Sequence, residues 1–495
     1  MPIYAEDHFR SAQTCFKSIV DQLGSSETLG LPHEAVESLL ETSGRELLRR
    51  LFQDHLDLRR AREERRTEVV GADSTARTHV RARDRGLESV FGRVTINRLA
   101  YGGRGIPCLI PLDDELNLPR EVYSYGVRRR AAVESSKSSF GEAVESLRST
   151  TGARAAKRQV EELTQRAAQD FDAFYEQRQT VFAERSDLLV LSFDCKGIVM
   201  RPQDLREEAR RDAERSVRKF DKRRTRGQVS GHKRMAQLAT VYDVSPYFRN
   251  AEEVVAGFRP LRVVKVRPRP YNKRAWASVA KEGEAIIEEA FREALRRDPK
   301  QKRRWVVTID GDIKQLRKLK RVINRLKVDV EIVHDIVHVL EYLWAAATGL
   351  HGEFNPERQT WVTERFLRIL QGKASSVAAG MRRSATMRGL SQTARKRVDI
   401  CARYLLANKS RLRYPRYLAA GMPIGTGVIE GACRHLVQDR FAITGARWSL
   451  AGAESVLRIR ALRISGDFDE YWRFHLRQEH HRNHVSRYQT AIGAS

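Results

Sequence analysis

Hydrophobic positions along the chain change their spacing several times, and each change marks an element. Over residues 33–66, Leu39, Leu40, Leu47, Leu48, Leu51 and Phe52 recur at a near-helical period behind Pro32, which suits a first turn. They predict a helix ending in the charged run Arg59–Arg66. Alternation in Glu88–Ile96 then predicts a hairpin or small sheet. Tyr101–Gly105 reads as a glycine-rich turn without the Gly-Lys-Ser/Thr ending of a phosphate loop. Helical spacing returns over 119–183, where Phe140–Arg148 and Arg154–Arg178 flank the short turn Ser149–Gly152. After 187, short apolar runs alternate with amphipathic stretches. They predict strands at Leu188–Cys195, Gly197–Met200 and Gln237–Val244, and a helix over Trp276–Arg297. Strand Trp305–Ile309, helix Ile313–Arg325 and strand Val328–Val333 follow. Helical patterns at Trp361–Gln371 and Gln392–Asn408 make residues 351–420 a helical segment, too long for an unstructured loop in a packed domain.

A chain of 495 residues has room for two to four domains, and 41% hydrophobic residues is ordinary for a globular protein. The charge changes the picture more. Lys+Arg 91 against Asp+Glu 63 gives +28 and a pI near 10.2, which favours a polyanionic partner over a merely solubilising surface. No stretch approaches the roughly 20 apolar residues that span a bilayer, and Glu6, Asp7 and His8 break any signal pattern, so no membrane partner and a cytoplasmic location are expected. Five scattered cysteines without a Cys-x-x-Cys pair read as reduced thiols.

Three carboxylates then stand out. Asp194 and Asp310 end the apolar runs that begin at Leu188 and Trp305, and Glu430 opens the helix-like stretch after Gly425-Thr426-Gly427. An acid at the C-terminal end of a buried strand points to where open α/β sheets place their sites, and oxygen ligands of this kind suit hard divalent cations in phosphodiester chemistry. Any one of them alone reads as a surface acid. Asp312 is a reserve ligand if the strand continues.

His334-Asp335-Ile336-Val337-His338 imitates the zinc-protease His-Glu-x-x-His pattern, with Glu341 as a third ligand. Its acid is one methylene short, however, and it starts at a strand end. His338 ordering the site, contacting DNA or packing in the core are the other readings. The pair of helices around residue 150 reads either as a helix-turn-helix with Arg154, Lys157 and Arg158 facing DNA, or as a hairpin packed on the core. In the basic insert 201–234, Lys222, Arg223, Arg224 and Arg226 have only Asp221 beside them and should meet phosphates. Arg434 lies on the Glu430 face, as a phosphate clamp or a salt bridge to Glu430. Arg447 and Trp448 could grip and stack on DNA, with core packing the equal alternative for Trp448.

Several strings are distinctive: Gly421–Val437, Thr444-Gly445-Ala446-Arg447-Trp448 with Gly452-Ala453-Glu454, Asp194–Met200, Ala239–Val244, Pro111-Leu112-Asp113 and Phe171–Tyr175. Together they resemble the DDE transposases of the ISKra group of prokaryotic insertion sequences, related to Mutator-type transposases, over nearly the whole chain. The order of elements after 187 is similar to that of the RNase H-like fold, whose acids sit on the first strand, the fourth strand and the last helix. The resemblance implies a triad of Asp194, Asp310 and Glu430 holding two Mg²⁺ (or Mn²⁺) ions. Asp335 and His338 match the Asp-x-x-His motif of the Mutator-like relatives. Cys195 stands where glycine is expected in the Asp-Gly-Lys-Gly run.

The expected architecture is an α/β RNase H-like catalytic core with an all-helical insertion, preceded by a mostly helical N-terminal DNA-binding region with a small β element. The expected boundaries are a helical region 1–66, a β-rich element 67–118, a helix-turn-helix-like region 119–186, core 187–350, insertion 351–420, last core helix 421–470 and tail 471–495. The implied activity is cleavage and strand transfer at terminal inverted repeats, with double-stranded DNA as partner, a homo-oligomer and a nucleoid location. A DNA-binding relative without catalysis, and a zinc metallohydrolase built on His334 and His338, are the rivals.

Overall fold

The chain divides near residue 177. A computed structural model, described over residues 8–179, 183–215, 233–258, 266–443 and 445–489, separates Met1–Gln177 with Asp467–Ser495 from Arg178–Gly466.

In the first unit, helices α1 (Arg10–Leu23), α2 (Ser26–Leu29) and α3 (His33–Ala61) come first. The Ala12 N–H donates to Asp54 Oδ2 at 3.0 Å and ties α1 to α3. Helix α3 stops at Ala61, short of the expected 66, and Glu63 turns back to accept the Leu99 N–H. After a two-residue pair β1 (Val69–Val70) and β2 (Ala76–Arg77), β3 (His79–Ser89), β4 (Gly92–Gly103) and β5 (Ile106–Leu109) form an antiparallel sheet. Phe52 and Leu56 of α3 meet Leu87, Val94 and Ile96 of that sheet in one apolar cluster.

Helix α4 (Pro111–Glu115) leads to α5 (Tyr125–Lys137), α6 (Phe140–Thr150) and α7 (Lys157–Ala167), which share the core Val127, Ala131, Leu147, Val160 and Leu163. A capping box, Ser139 with Glu142, starts α6. The single helix expected over 154–178 is two, because residues 168–170 interrupt it before α8 (Phe171–Gln177). Asp170 is drawn to His475 and Arg482. Both lie on a C-terminal helix, Phe468–Asn483, where a tail was expected. Its Tyr471 and Phe474 pack on Phe174.

The second unit is built on a five-stranded mixed sheet. Its elements are β6 (Leu188–Val199), α9 (Glu207–Arg215), β7 (Lys233–Val244), α10 (Ala251–Gly257), β8 (Tyr271–Ser278), α11 (Gly283–Arg297), β9 (Trp305–Ile309), α12 (Ile313–Leu326) and β10 (Glu331–His334). The spatial order is β10-β9-β6-β7-β8. β6 is antiparallel to β7 and parallel to β9, and β9 is parallel to β10. Two predicted strands, 188–195 and 197–200, are therefore one, and the third strand is β8. Its end, Trp276–Ser278, had been assigned to the following helix, which begins at Gly283.

Helix α11 covers one face, where Phe193 meets Phe291 and Phe291 stacks on Trp305. The other face, with Leu188, Val190, Val306 and Val333, is continuous with a core formed by α13 (Ile336–His351), α14 (Glu357–Leu370), α15 (Ala374–Met387), α16 (Gln392–Ala407) and α17 (Tyr414–Ala419). Segment 351–420 is thus helical and packs on α13. Then come α18 (Gly427–Cys433), a π-type turn Arg434–Gln438, the short α19 (Asp439–Phe441) and α20 (Leu450–Ser465), which lies on β8.

Candidate active site

β6 and β9 run parallel with Ser192 beside Thr308. Their hydroxyls meet at 2.5 Å, inside the sheet face that carries α13 and its neighbours. Side chains alternate along a strand, so Asp194, two further on in β6, shares the Ser192 face, and Asp310, one residue past β9, comes close enough to act on its carboxyl. Burial pushes the Asp194 carboxyl up from the usual carboxylate range, and neighbouring Asp310 adds to this. The Cys195 N–H and the Cys433 thiol, both bonded to Asp194, act in the opposite direction. Through Cys433, helix α18 reaches Asp194, and Glu430 lies three residues earlier on that helix.

The turn after β9 is tightly formed. Asp310 Oδ1 accepts the Asp312 N–H at 2.9 Å, and Asp312 caps α12 by accepting the Gln315 N–H at 2.6 Å. Asp312 is spoken for as a helix cap. Asp335, one residue past β10, is wholly buried, and its N–H donates to Ile309 O. Thr426 Oγ1 lies 2.6 Å from Asp335 Oδ2 and 2.8 Å from Glu430 Oε1. The one Thr426 hydroxyl therefore links the two carboxylates; burial pushes the Asp335 carboxyl up and Glu430 adds to it, while the bonds from Thr426 and the Val337 N–H act in the opposite direction.

The acids thus form two linked pairs, Asp194 with Asp310 and Asp335 with Glu430. They do not form one converged set. Among the described residues, the group of three acidic, cysteine or histidine side chains with ligand atoms within 4.8 Å of one another is Asp170, His475 and Glu479 in the first unit. That group is a poor cation site. Arg128 donates to Glu479, the Arg128 guanidinium also lies against His475, and Arg482 bonds both Asp170 and Glu479, so two fixed cations already occupy the oxygens. It is a buried ion-pair network. At the second-unit acids the chemistry fits better: all donors are oxygen, and the strain of bringing Asp194 near Asp310 is of the kind a hard divalent cation relieves.

Other expected residues fall out as follows. His334 is buried and bonded to Tyr404, while His338 Nδ1 lies 3.0 Å from Glu341 Oε2, so His334, His338 and Glu341 do not converge on a zinc site. Arg434 is paired with Asp439 at 3.8 Å and not with Glu430. Trp448 is buried against Phe441, with Arg440 over its ring, and its N–H extends the β6 edge to Val199 O, so packing is its role. Arg447 is exposed. Arg154, Lys157 and Arg158 are exposed at the start of α7, with Arg158 paired to Glu162 at 3.1 Å. Lys222, Arg223, Arg224 and Arg226 lie outside the described residues.

Cys195 points to the α11 face, away from Asp194. Burial, then Asp194, Asp310 and Asp312, push its thiol up to about 11, so at neutral pH it is no thiolate. Ser192, Thr308, Thr426, Cys433 and Tyr404 had not been singled out. Only the first two had a signal: each is a hydroxyl residue in an apolar run, two positions before an acid.

No protein-family model matches the chain, and no curated protein is significantly similar to it. Among the described residues, no helix is long and apolar enough to cross a membrane.

Proposed function

We propose that the chain is a DDE-type transposase with an RNase H-like core, cleaving and joining DNA at the terminal inverted repeats of an insertion sequence. The observation that carries this is the pair Asp194, within β6, and Asp310, one residue past the parallel β9, each two residues beyond the Ser192–Thr308 contact. The strand order, first strand central and fourth beside it, and the approach of the Glu430 helix to Asp194 support the same reading. Asp194, Asp310 and Glu430 would hold two Mg²⁺ or Mn²⁺ ions, which supply an activated water or 3′-hydroxyl and stabilise the leaving oxygen. Thr426 orients Glu430, and Asp335 braces Thr426 from the buried side. No side chain forms a covalent link to DNA in this scheme. The net charge of +28 fits duplex DNA as partner, with synapsis of two ends in a homo-oligomer near the nucleoid.

The test is incubation of the full chain and Mg²⁺ with a duplex made from the DNA flanking its reading frame. Strand cleavage at a repeat boundary, lost in Asp194→Asn, is expected. A covalent protein–DNA adduct would overturn the reading. A rival, a DNA-binding relative without catalysis, draws on Glu430 lying outside a converged cluster. Boundary binding without any metal-dependent cleavage would favour it.

A further inference from the structure

The helical segment after β10 reaches back to the acids through tyrosines. Tyr414 donates its hydroxyl to His334 O at 3.0 Å, and the Tyr417 hydroxyl lies 3.4 Å from Ile332 O. Tyr404, on α16, goes furthest. Its hydroxyl is 2.6 Å from His334 Nε2 and 3.4 Å from the backbone oxygen of Asp310. Its ring is stacked on Tyr342 of α13, with centroids 3.8 Å apart and planes 22° from parallel, so the hydroxyl is aimed from a fixed plane.

His334 is wholly buried, and its Nδ1 has no hydrogen-bond partner among the described residues. An unpaired buried N–H costs more than an unused lone pair, so the proton belongs on Nε2. The consistent chain is His334 Nε2–H donating to the Tyr404 oxygen, and Tyr404 O–H donating to Asp310 O. Gly311 lies against the same Cε1–Nε2 edge of the imidazole. A Cβ there would come within 2.2 Å of His334 Cε1, and Gly311 has φ +97°. The turn that presents Asp310 is thus held between the ring of His334 and the hydroxyl of Tyr404.

We infer that Tyr404 is a positioning residue for Asp310, by which the helical segment sets the carboxylate that would bind a divalent cation. The inference rests on the metal-binding reading of Asp194 and Asp310. Groups that hold a ligand without touching the metal typically change affinity or activity 10–100-fold when removed, about as expected for one such bond.

The experiment titrates Mn²⁺ into the full chain and follows free Mn²⁺ by electron paramagnetic resonance, beside a thermal melt. Tyr404→Phe keeps the stacked ring and removes the hydroxyl. The melting midpoint should fall modestly because His334 Nε2–H loses its acceptor; well below that midpoint, in the folded chain, Mn²⁺ binding should weaken roughly tenfold or more, a loss that destabilisation alone does not give. His334→Gln should weaken it comparably, and the double variant no further than the weaker single, since both act through one chain of bonds. Asp310→Asn, the control, should abolish tight Mn²⁺ binding. If Asp310→Asn binds as the parent does, the metal-site reading fails and this inference with it. If Asp310→Asn abolishes binding while Tyr404→Phe leaves it unchanged, the positioning role is wrong and the metal site stands.

Discussion

Gly311 illustrates how narrowly single residues define the acid turn. Its positive φ and the 2.2 Å approach to His334 exclude any side chain. Gly311→Ala should therefore lose about 1–3 kcal/mol in urea unfolding and shift the turn carrying Asp310. An unchanged unfolding midpoint would count against the geometry. His334 gives a pH dependence. Burial pushes its pKa down from 6.5 to about 3, with Arg411 and His338 contributing. Between those values the unfolded chain binds a proton that the folded chain does not. The stability tied to a neutral His334 is thus complete above pH 6.5 and is lost as pH falls towards 3. Urea unfolding at pH 7 and pH 4 should show a larger acid loss in the parent than in His334→Gln; equal losses would rule this out.

Among elements, α12 carries the most telling charge pattern. Arg321 and Arg325 are neutralised by Glu284 and Glu288 of α11. Lys314, Arg317 and Lys320 are exposed and in no ion pair among the described residues, about one to three turns beyond Asp310. If that face follows a phosphate backbone, replacing all three by Ala should reduce the slope of log affinity against log salt for an arbitrary duplex by about 2–3. An unchanged slope would make it an ordinary solvated face.

At this scale the sequence was legible where periodicity was strong. β9 spans Trp305–Ile309 and α12 starts at Ile313, as the apolar spacing predicts. β8 was hidden because Tyr271-Asn272-Lys273-Arg274 is polar, and its buried Trp276-Ala277-Ser278 runs on towards an amphipathic helix. The break at Asp170 was illegible because its cause, His475, lies 305 residues away. Tyr404 was missed for the same reason: its partners, His334 and Asp310, are 70 and 94 residues distant.

For the whole molecule, two charge clusters have opposite characters. In the first unit, Arg128 is 1% exposed and bonded to Glu121 and Glu479, so it holds structure. Arg128→Met should cost about 3–5 kcal/mol by stranding buried carboxylates, whereas a chelator should leave the first unit's melting unchanged. A midpoint lowered by chelation and restored by zinc would contradict this. In the second unit, Asp194, Asp310 and Glu430 are in no ion pair with an arginine or lysine among the described residues, which is why they are assigned the metal chemistry. The most direct measurement is joining of a labelled terminal-repeat duplex to a supercoiled plasmid by the full chain. Joining should require Mg²⁺ or Mn²⁺, stop on chelation, and be absent in Asp194→Asn, Asp310→Asn and Glu430→Gln. Joining that persists in all three variants would contradict it.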